Sequence, residues 1–159
     1  MQEKMDKQKV IELLEYHGGI DEEIGARRKF IAELETYYDT SKAINYDGMP
    51  KGQYHISSPT EQAALNVPQF VSKEIRQYTE EIEEMQKLKC EIVKEVLRLK
   101  LKQKQVIMCF YFQNMRWVQI GDLLHYSERQ CKNIRDEAVE SLAVLFWNNK
   151  TIAGYAIKE

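Results

Sequence analysis

Between Trp117 and Arg135 the chain reads Trp-Val-Gln-Ile-Gly-Asp-Leu-Leu-His-Tyr-Ser-Glu-Arg-Gln-Cys-Lys-Asn-Ile-Arg. The run is rich in side chains that hydrogen-bond base edges and phosphates. Apolar or small residues fall at Ile120, Gly121, Leu124, Tyr126, Cys131 and Ile134. That spacing predicts two helices folded across a tight turn, the pattern of a helix-turn-helix. Ile120 and Leu124 form the inner face of the first helix, and Gly121 leaves room for a close approach. His125 and Tyr126 make the turn, and His125 is expected in a left-handed conformation, which His tolerates better than a β-branched residue. Ser127 caps the second helix, and Gln130 three residues on completes a capping box. Cys131, Ile134 and Ala138 then point inward. Glu128, Arg129, Gln130, Lys132, Asn133 and Arg135 are left outside. Glu128, Arg129, Gln130 and Asn133 are the candidates for reading bases. Lys132, Arg135 and Arg116 are the candidates for holding phosphates.

Such a corner must be held by flanking helices. Upstream, Leu101 to Phe112 reads as a helix with Leu101, Val106, Ile107, Phe110 and Tyr111 inward. Downstream, the second helix continues through Ala138, Val139, Leu142 and Leu145. Trp117 is placed for packing at the start of the first helix. Lys102 and Lys104 are placed equally well for phosphate contact or for solubility.

Further towards the N-terminus, Met1 to Tyr16 predicts a short helix stopped by Gly18-Gly19. Asp21 is expected to cap a second helix with Ile24, Ile31, Leu34 and Tyr38 along one stripe. Residues 46–59 contain Gly48, Pro50, Gly52 and Pro59 and read as a loop. Ser58, Pro59 and Glu61 predict a fresh helix start, and Pro68 a kink or restart. From Ile75 the apolar seam is Ile75, Tyr78, Ile82, Met85, Lys89, Ile92, Val96 and Leu99. Its alternating steps of three and four are those of a coiled coil. Lys89 on that seam is either a specificity device or a side chain that snorkels outward. Glu80, Glu81, Glu83 and Glu84 read as a solvated outer face with Lys87 and Lys89 nearby.

These pieces imply an all-α chain. Residues 1–100 are a coiled-coil-like helical arm folded as a hairpin, with its loop at 46–59. Residues 101–146 are a helix-turn-helix domain, and 147–159 an apolar tail that folds back or binds a partner. Dimerisation through the arm is expected, because two helices alone make a thin core.

The residues at Leu101-Lys-Gln-Lys-Gln-Val-Ile, Phe110-Tyr-Phe, Trp117-Val-Gln-Ile-Gly-Asp-Leu-Leu, Ser127-Glu-Arg-Gln-Cys-Lys and Ala138 to Leu142 resemble region 4 of bacterial sigma factors. The Trp117 start, the Ser-x-Arg-Gln run and the loop Gly48-Met49-Pro50-Lys51-Gly52 are similar to a narrower set. That set is the phage late-gene transcriptional regulators of the RinA and ArpU type. The motifs cover about a third of the chain, with Gly121 standing where sigma factors usually have Ala and His125 where Gly is common. The resemblance implies a cytoplasmic, sequence-specific regulator of a phage or mobile element. It would bind double-stranded DNA, act as a homodimer, and have RNA polymerase as a second partner. Two rivals stand beside it: a small terminase-like packaging protein, and a sigma-like module that binds polymerase or a host protein without DNA.

Composition sets bounds on all three. The net charge of the 159 residues is −2, divided as −4 over residues 1–100 and +2 over 101–159. Phosphate neutralisation by one copy is therefore weak, which again favours a dimer or a partner. Cys90, Cys109 and Cys131 form no C-x-x-C pair and read as buried free thiols. No Gly-rich phosphate loop, nucleophile–base motif or metal spacing occurs, so neither an enzyme nor a cofactor is expected. No apolar run approaches the roughly 20 residues needed to span a bilayer.

Overall fold

The computed structural model describes residues 2–46 and 69–157, and these are helical with no strand among them. In chain order the elements are α1 (Lys7–Tyr46), α2 (Gln69–Val96), α3 (Leu101–Ile107), a π-turn (Met108–Phe112), α4 (Trp117–Leu124), α5 (Glu128–Asn148) and α6 (Lys150–Ala153). No described helix is long and apolar enough to cross a membrane. The expected loop at 46–59, the helix start at Ser58 and the role of Pro68 fall almost wholly outside the described residues.

Contacts divide the chain at 22/23 and at 83/84, whereas the sequence placed a boundary at residue 100. One unit comprises Met1–Glu22 with Glu84–Glu159, the other Glu23–Glu83. The first and last parts of the arm thus belong to the same body as the C-terminal helices.

In that larger unit Val10, Leu13, Leu14 and Ile20 of α1 are buried, as are Met85, Leu88, Ile92 and Val96 of α2. Val106 and Ile107 of α3, Ile120 of α4, and Ala138, Leu142, Ala143 and Phe146 of α5 complete the core. Burying one such Leu, Ile or Phe side chain contributes about 1.5–3 kcal/mol. The tail does fold back: Ile152 is fully buried, and the Tyr155 hydroxyl meets that of Tyr16 at 3.1 Å. Asn149 joins the last two helices to α2. Its Nδ2 donates to Glu91 at 2.8 Å and to Glu95 at 3.1 Å, while its Oδ1 accepts from the Ile152 N–H that opens α6. Glu95 is buried and also meets Arg98 at 3.1 Å. The N-terminal coil is tied down as well, with the Met5 N–H donating to the Ala143 carbonyl and Trp147 Nε1 to Glu3.

Several expectations are corrected. Gly18-Gly19 does not stop a helix, and Asp21 does not start one; α1 runs through both. Each glycine lowers helix propensity by about 1 kcal/mol, which a packed apolar stripe outweighs. At Gly18 the packing requires glycine, because a Cβ there would lie 2.7 Å from the Tyr111 carbonyl oxygen. Leu101 is exposed instead of inward, at the first position of α3. Leu88, absent from the expected seam, is fully buried, while Lys89 turns out to pair with Asp21. Cys90 is exposed, unlike Cys109 and Cys131.

In the unit 23–83, Arg27 bonds Glu81 at 2.9 Å and the Phe30 ring meets Tyr78 at 5.4 Å. The falling partner numbers show that α1 and α2 run antiparallel here. Glu81 therefore lies against Arg27 and not on a solvated outer face, although Glu80, Glu83 and Glu84 are exposed. Ile24, Val71 and Ile82 are buried in this unit, and Phe30, Tyr37 and Phe70 are exposed.

Candidate nucleic-acid interface

The corner is built from its caps inward. α4 starts after Arg116, whose extended backbone donates its N–H to Gln119 Oε1 at 2.9 Å. α4 ends at His125, which adopts φ 60 and ψ 41, the left-handed conformation expected of it. The chain then turns sharply enough for the Tyr126 N–H to reach back to the Gly121 carbonyl at 3.0 Å. A Cβ at position 121 would lie 2.6 Å from the Tyr126 carbonyl oxygen. Gly121 is thus required by the turn folding over it. Ser127 opens α5 with the expected capping box: its Oγ accepts from the Gln130 N–H at 3.2 Å, and its own N–H donates to Gln130 Oε1 at 3.0 Å.

Beneath the caps, Ile120, Cys109 and Cys131 form a buried cluster with Phe110, Met115, Trp117, Leu124 and Tyr126 packed on it. Burial pushes both the Cys109 and the Cys131 thiols above their ordinary range, which keeps them protonated and unreactive. Trp117 packs at the helix start as expected, stacked on Phe110 with ring centroids 4.1 Å apart and planes at 17°. The π-turn arranges this wall. The Gln113 N–H closes onto the Met108 carbonyl at 3.0 Å, five residues back, and Asn114 follows at φ 53.

The candidate residues occupy three kinds of place. Arg129, Lys132 and Asn133 are exposed on α5 at positions i, i+3 and i+4, so they share one face. Glu128 is exposed in the first turn of the same helix, and Arg116 is exposed at the start of α4. Ser127 and Gln130 are engaged in the cap, which leaves Gln130 its amide N–H group for other contacts. Arg135 is the exception, with a side chain only 26% exposed. Its guanidinium lies 5.3 Å from the Trp117 ring and 6.0 Å from the Phe110 ring, and it pairs with Asp136 at 2.8 Å. It also lies beside the Tyr111 hydroxyl, whose pKa burial raises and this cation lowers in part. The position of Arg135 suits bracing of the corner. Lys102 lies 5.7 Å above the Tyr126 ring, next to the turn.

The face carries both signs, since Asp136 and Glu137 are exposed one turn beyond Lys132. Among the described residues no cluster of His, Cys, Asp or Glu is arranged to hold a metal. Sequence reasoning missed the exposure of Val118 and Leu123 on α4, each 57% exposed. The spacing that turns Ile120 and Leu124 inward puts Val118 on the opposite side of α4 and Leu123 at the edge, which is the signal that could have found them.

A family model described as "Protein of unknown function (DUF722)" matches residues 1–144. The chain belongs to the DUF722 family. The DUF722 match takes in α1 to α4 and most of α5, and it stops before α6. No curated protein and no solved structure matches this DUF722 chain.

Proposed function

We propose that the protein is a sequence-specific DNA-binding transcriptional regulator of a phage or mobile element. One observation carries this reading. The exposed face Arg129, Lys132, Asn133 lies in the first turns of a 21-residue helix that is capped, backed by a buried cluster, and set behind a tight turn. A helix held so can enter the major groove with its N-terminal side chains against base edges. Arg129 and Asn133 would read bases, with Glu128 and the free amide of Gln130 beside them. Lys132 and Arg116 would hold phosphates, and Arg135 would reach a phosphate only from its stacked position on Trp117. The resemblance to sigma region 4 and to RinA- and ArpU-type regulators supports the same placement. A homodimer through the helical arm is part of the proposal, supported by the exposed Phe30, Tyr37 and Phe70. It would supply phosphate contacts that one copy, with its mixed charge, lacks.

A genome-wide footprint of the tagged protein in its host, with the mass of the same preparation by light scattering, tests this. Discrete peaks upstream of phage genes from a dimer support it. A ring-sized assembly with a peak inside a packaging gene replaces it with a terminase-like role. A second reading is favoured by Val118 and Leu123, whose exposed apolar side chains on α4 suit a protein partner such as RNA polymerase. No footprint together with a stable polymerase complex would select that reading.

A further inference from the structure

From Val96 to Gly121 the chain carries five cations, Arg98, Lys100, Lys102, Lys104 and Arg116, and no carboxylate. An even spread of the 25 Asp and Glu over the 159 residues would put about four there. This acid-free run covers the junction of α2 with α3, all of α3, the π-turn and the first half of α4. Arg98 is engaged by the buried Glu95. Lys100, Lys102 and Lys104 have no ion-pair partner among the described residues.

Gln103, Val106 and Ile107 turn α3 inward, and Leu101, Lys102 and Gln105 are exposed. At about 100° per residue, Lys102 and Lys104 border the exposed strip on opposite sides. The border held by Lys102 adjoins the turn, with its Nζ 5.7 Å from the centre of the Tyr126 ring. Lys100 precedes α3, and its carbonyl accepts from the Lys104 N–H at 2.9 Å, so these two share the other border one turn apart. The three ammoniums therefore straddle a helix about 10–12 Å wide. Convergence on one point would suit a single bound anion, whereas cations spread across a helix suit a line of phosphates.

We propose that the exposed face of α3 holds the phosphate backbone of a DNA duplex without regard to its sequence. The inference rests on the DNA-binding reading for its partner and adds lysines that the reading leaves unused. Position selects a duplex among polyanions. Tyr126, under Lys102, is followed at once by Ser127, which caps α5. A strand held on α3 thus borders the groove that would take Arg129 and Asn133. Charge steers the same way, since the exposed Asp136 and Glu137 repel a backbone from further along α5 while the acid-free run admits it at the turn.

The test is fluorescence anisotropy of the full chain on a short duplex of random sequence, at about 0.05–0.2 M salt. Non-specific binding reads phosphate contacts alone, and each contact contributes about 0.9 to the slope of log affinity against log salt. Replacing all three lysines, as Lys100→Gln, Lys102→Gln and Lys104→Gln together, should lower that slope by about 2–3 with an unchanged melting temperature. The three Lys→Arg changes should keep it. Removing the same charge elsewhere, as Lys29→Gln, Lys87→Gln and Lys150→Gln, should lower it by less than about 1. An unchanged slope in the first variant, or an equal loss in the control, overturns the proposal. The two DNA claims separate cleanly. A lowered slope without any preferred sequence supports this backbone edge and removes sequence reading by α5. A preferred sequence bound with an unchanged slope does the reverse. Failure of the wild type to bind duplex even at the lowest salt removes both, and tighter binding to vesicles of phosphatidylserine and phosphatidylcholine than to duplex reassigns the lysines to an anionic bilayer.

Discussion

A Cβ at position 121 would stand 2.6 Å from the carbonyl oxygen of Tyr126, so the turn between α4 and α5 closes onto a residue that must be glycine. Gly18 has the same relationship to Tyr111, at 2.7 Å. In both cases the obstructing atom is backbone and cannot swing aside.

Three glycine-to-alanine substitutions should therefore differ in sign. Gly19→Ala should stabilise the chain by about 0.5–1 kcal/mol, since only helix propensity changes. Gly18→Ala and Gly121→Ala should destabilise it by about 1–3 kcal/mol, because overpacking exceeds the propensity gain. Urea unfolding of the three variants checks this. A stabilised Gly121→Ala would mean that the turn is looser than described.

His17 gives the fold a pH dependence. Its ring is buried 4.0 Å from the Phe112 ring, and neither nitrogen has a hydrogen-bond partner among the described residues. Burial first, and then the Lys89 charge, lower its pKa from 6.5 to about 4, with Asp21 opposing. The unfolded chain thus takes up a proton on His17 at a higher pH than the folded chain does. The associated stability is complete above pH 6.5 and is lost as pH falls towards 4. Between pH 7 and 4.5 the loss should be about 2 kcal/mol. His17→Leu should remove that part of the slope, as read by denaturant midpoints across pH. An identical slope in the variant would exclude the buried neutral imidazole.

Asn149 is predicted to matter out of proportion to its size. Asn149→Ala removes the donor to Glu91 and Glu95 and the cap of α6, leaving the buried Glu95 with Arg98 alone. A loss of about 1–3 kcal/mol should follow. Thermal unfolding reads it, and Asn149→Asp should be worse, because it places a third carboxylate there.

Legibility in the sequence followed the range of the forces involved. The corner could be read because its determinants are local: the Ser127–Gln130 box, the left-handed His125 and the Ile120 and Cys131 positions all act within a few residues. Gly18-Gly19 was misread as a break because intrinsic propensity is weak, and the partner that decides the matter, the Tyr111 carbonyl, is 93 residues away. Lys89 and Glu81 were misplaced for the same reason, since their partners Asp21 and Arg27 lie on α1. Arg135 looked like a phosphate ligand from its type, but the stack of Phe110 and Trp117 beneath it holds it half-buried.

The central claim is that Arg129 and its neighbours on α5 read DNA, and the direct measurement is duplex selection followed by binding to the selected site. The full chain is selected against random duplexes, and Arg129→Ala is then compared with the wild type by fluorescence anisotropy at several salt concentrations. A discrete enriched site is expected. Arg129→Ala should bind it about 1–3 kcal/mol more weakly with an unchanged melting temperature. No enriched sequence, or equal affinity of Arg129→Ala for the enriched site, would contradict the account.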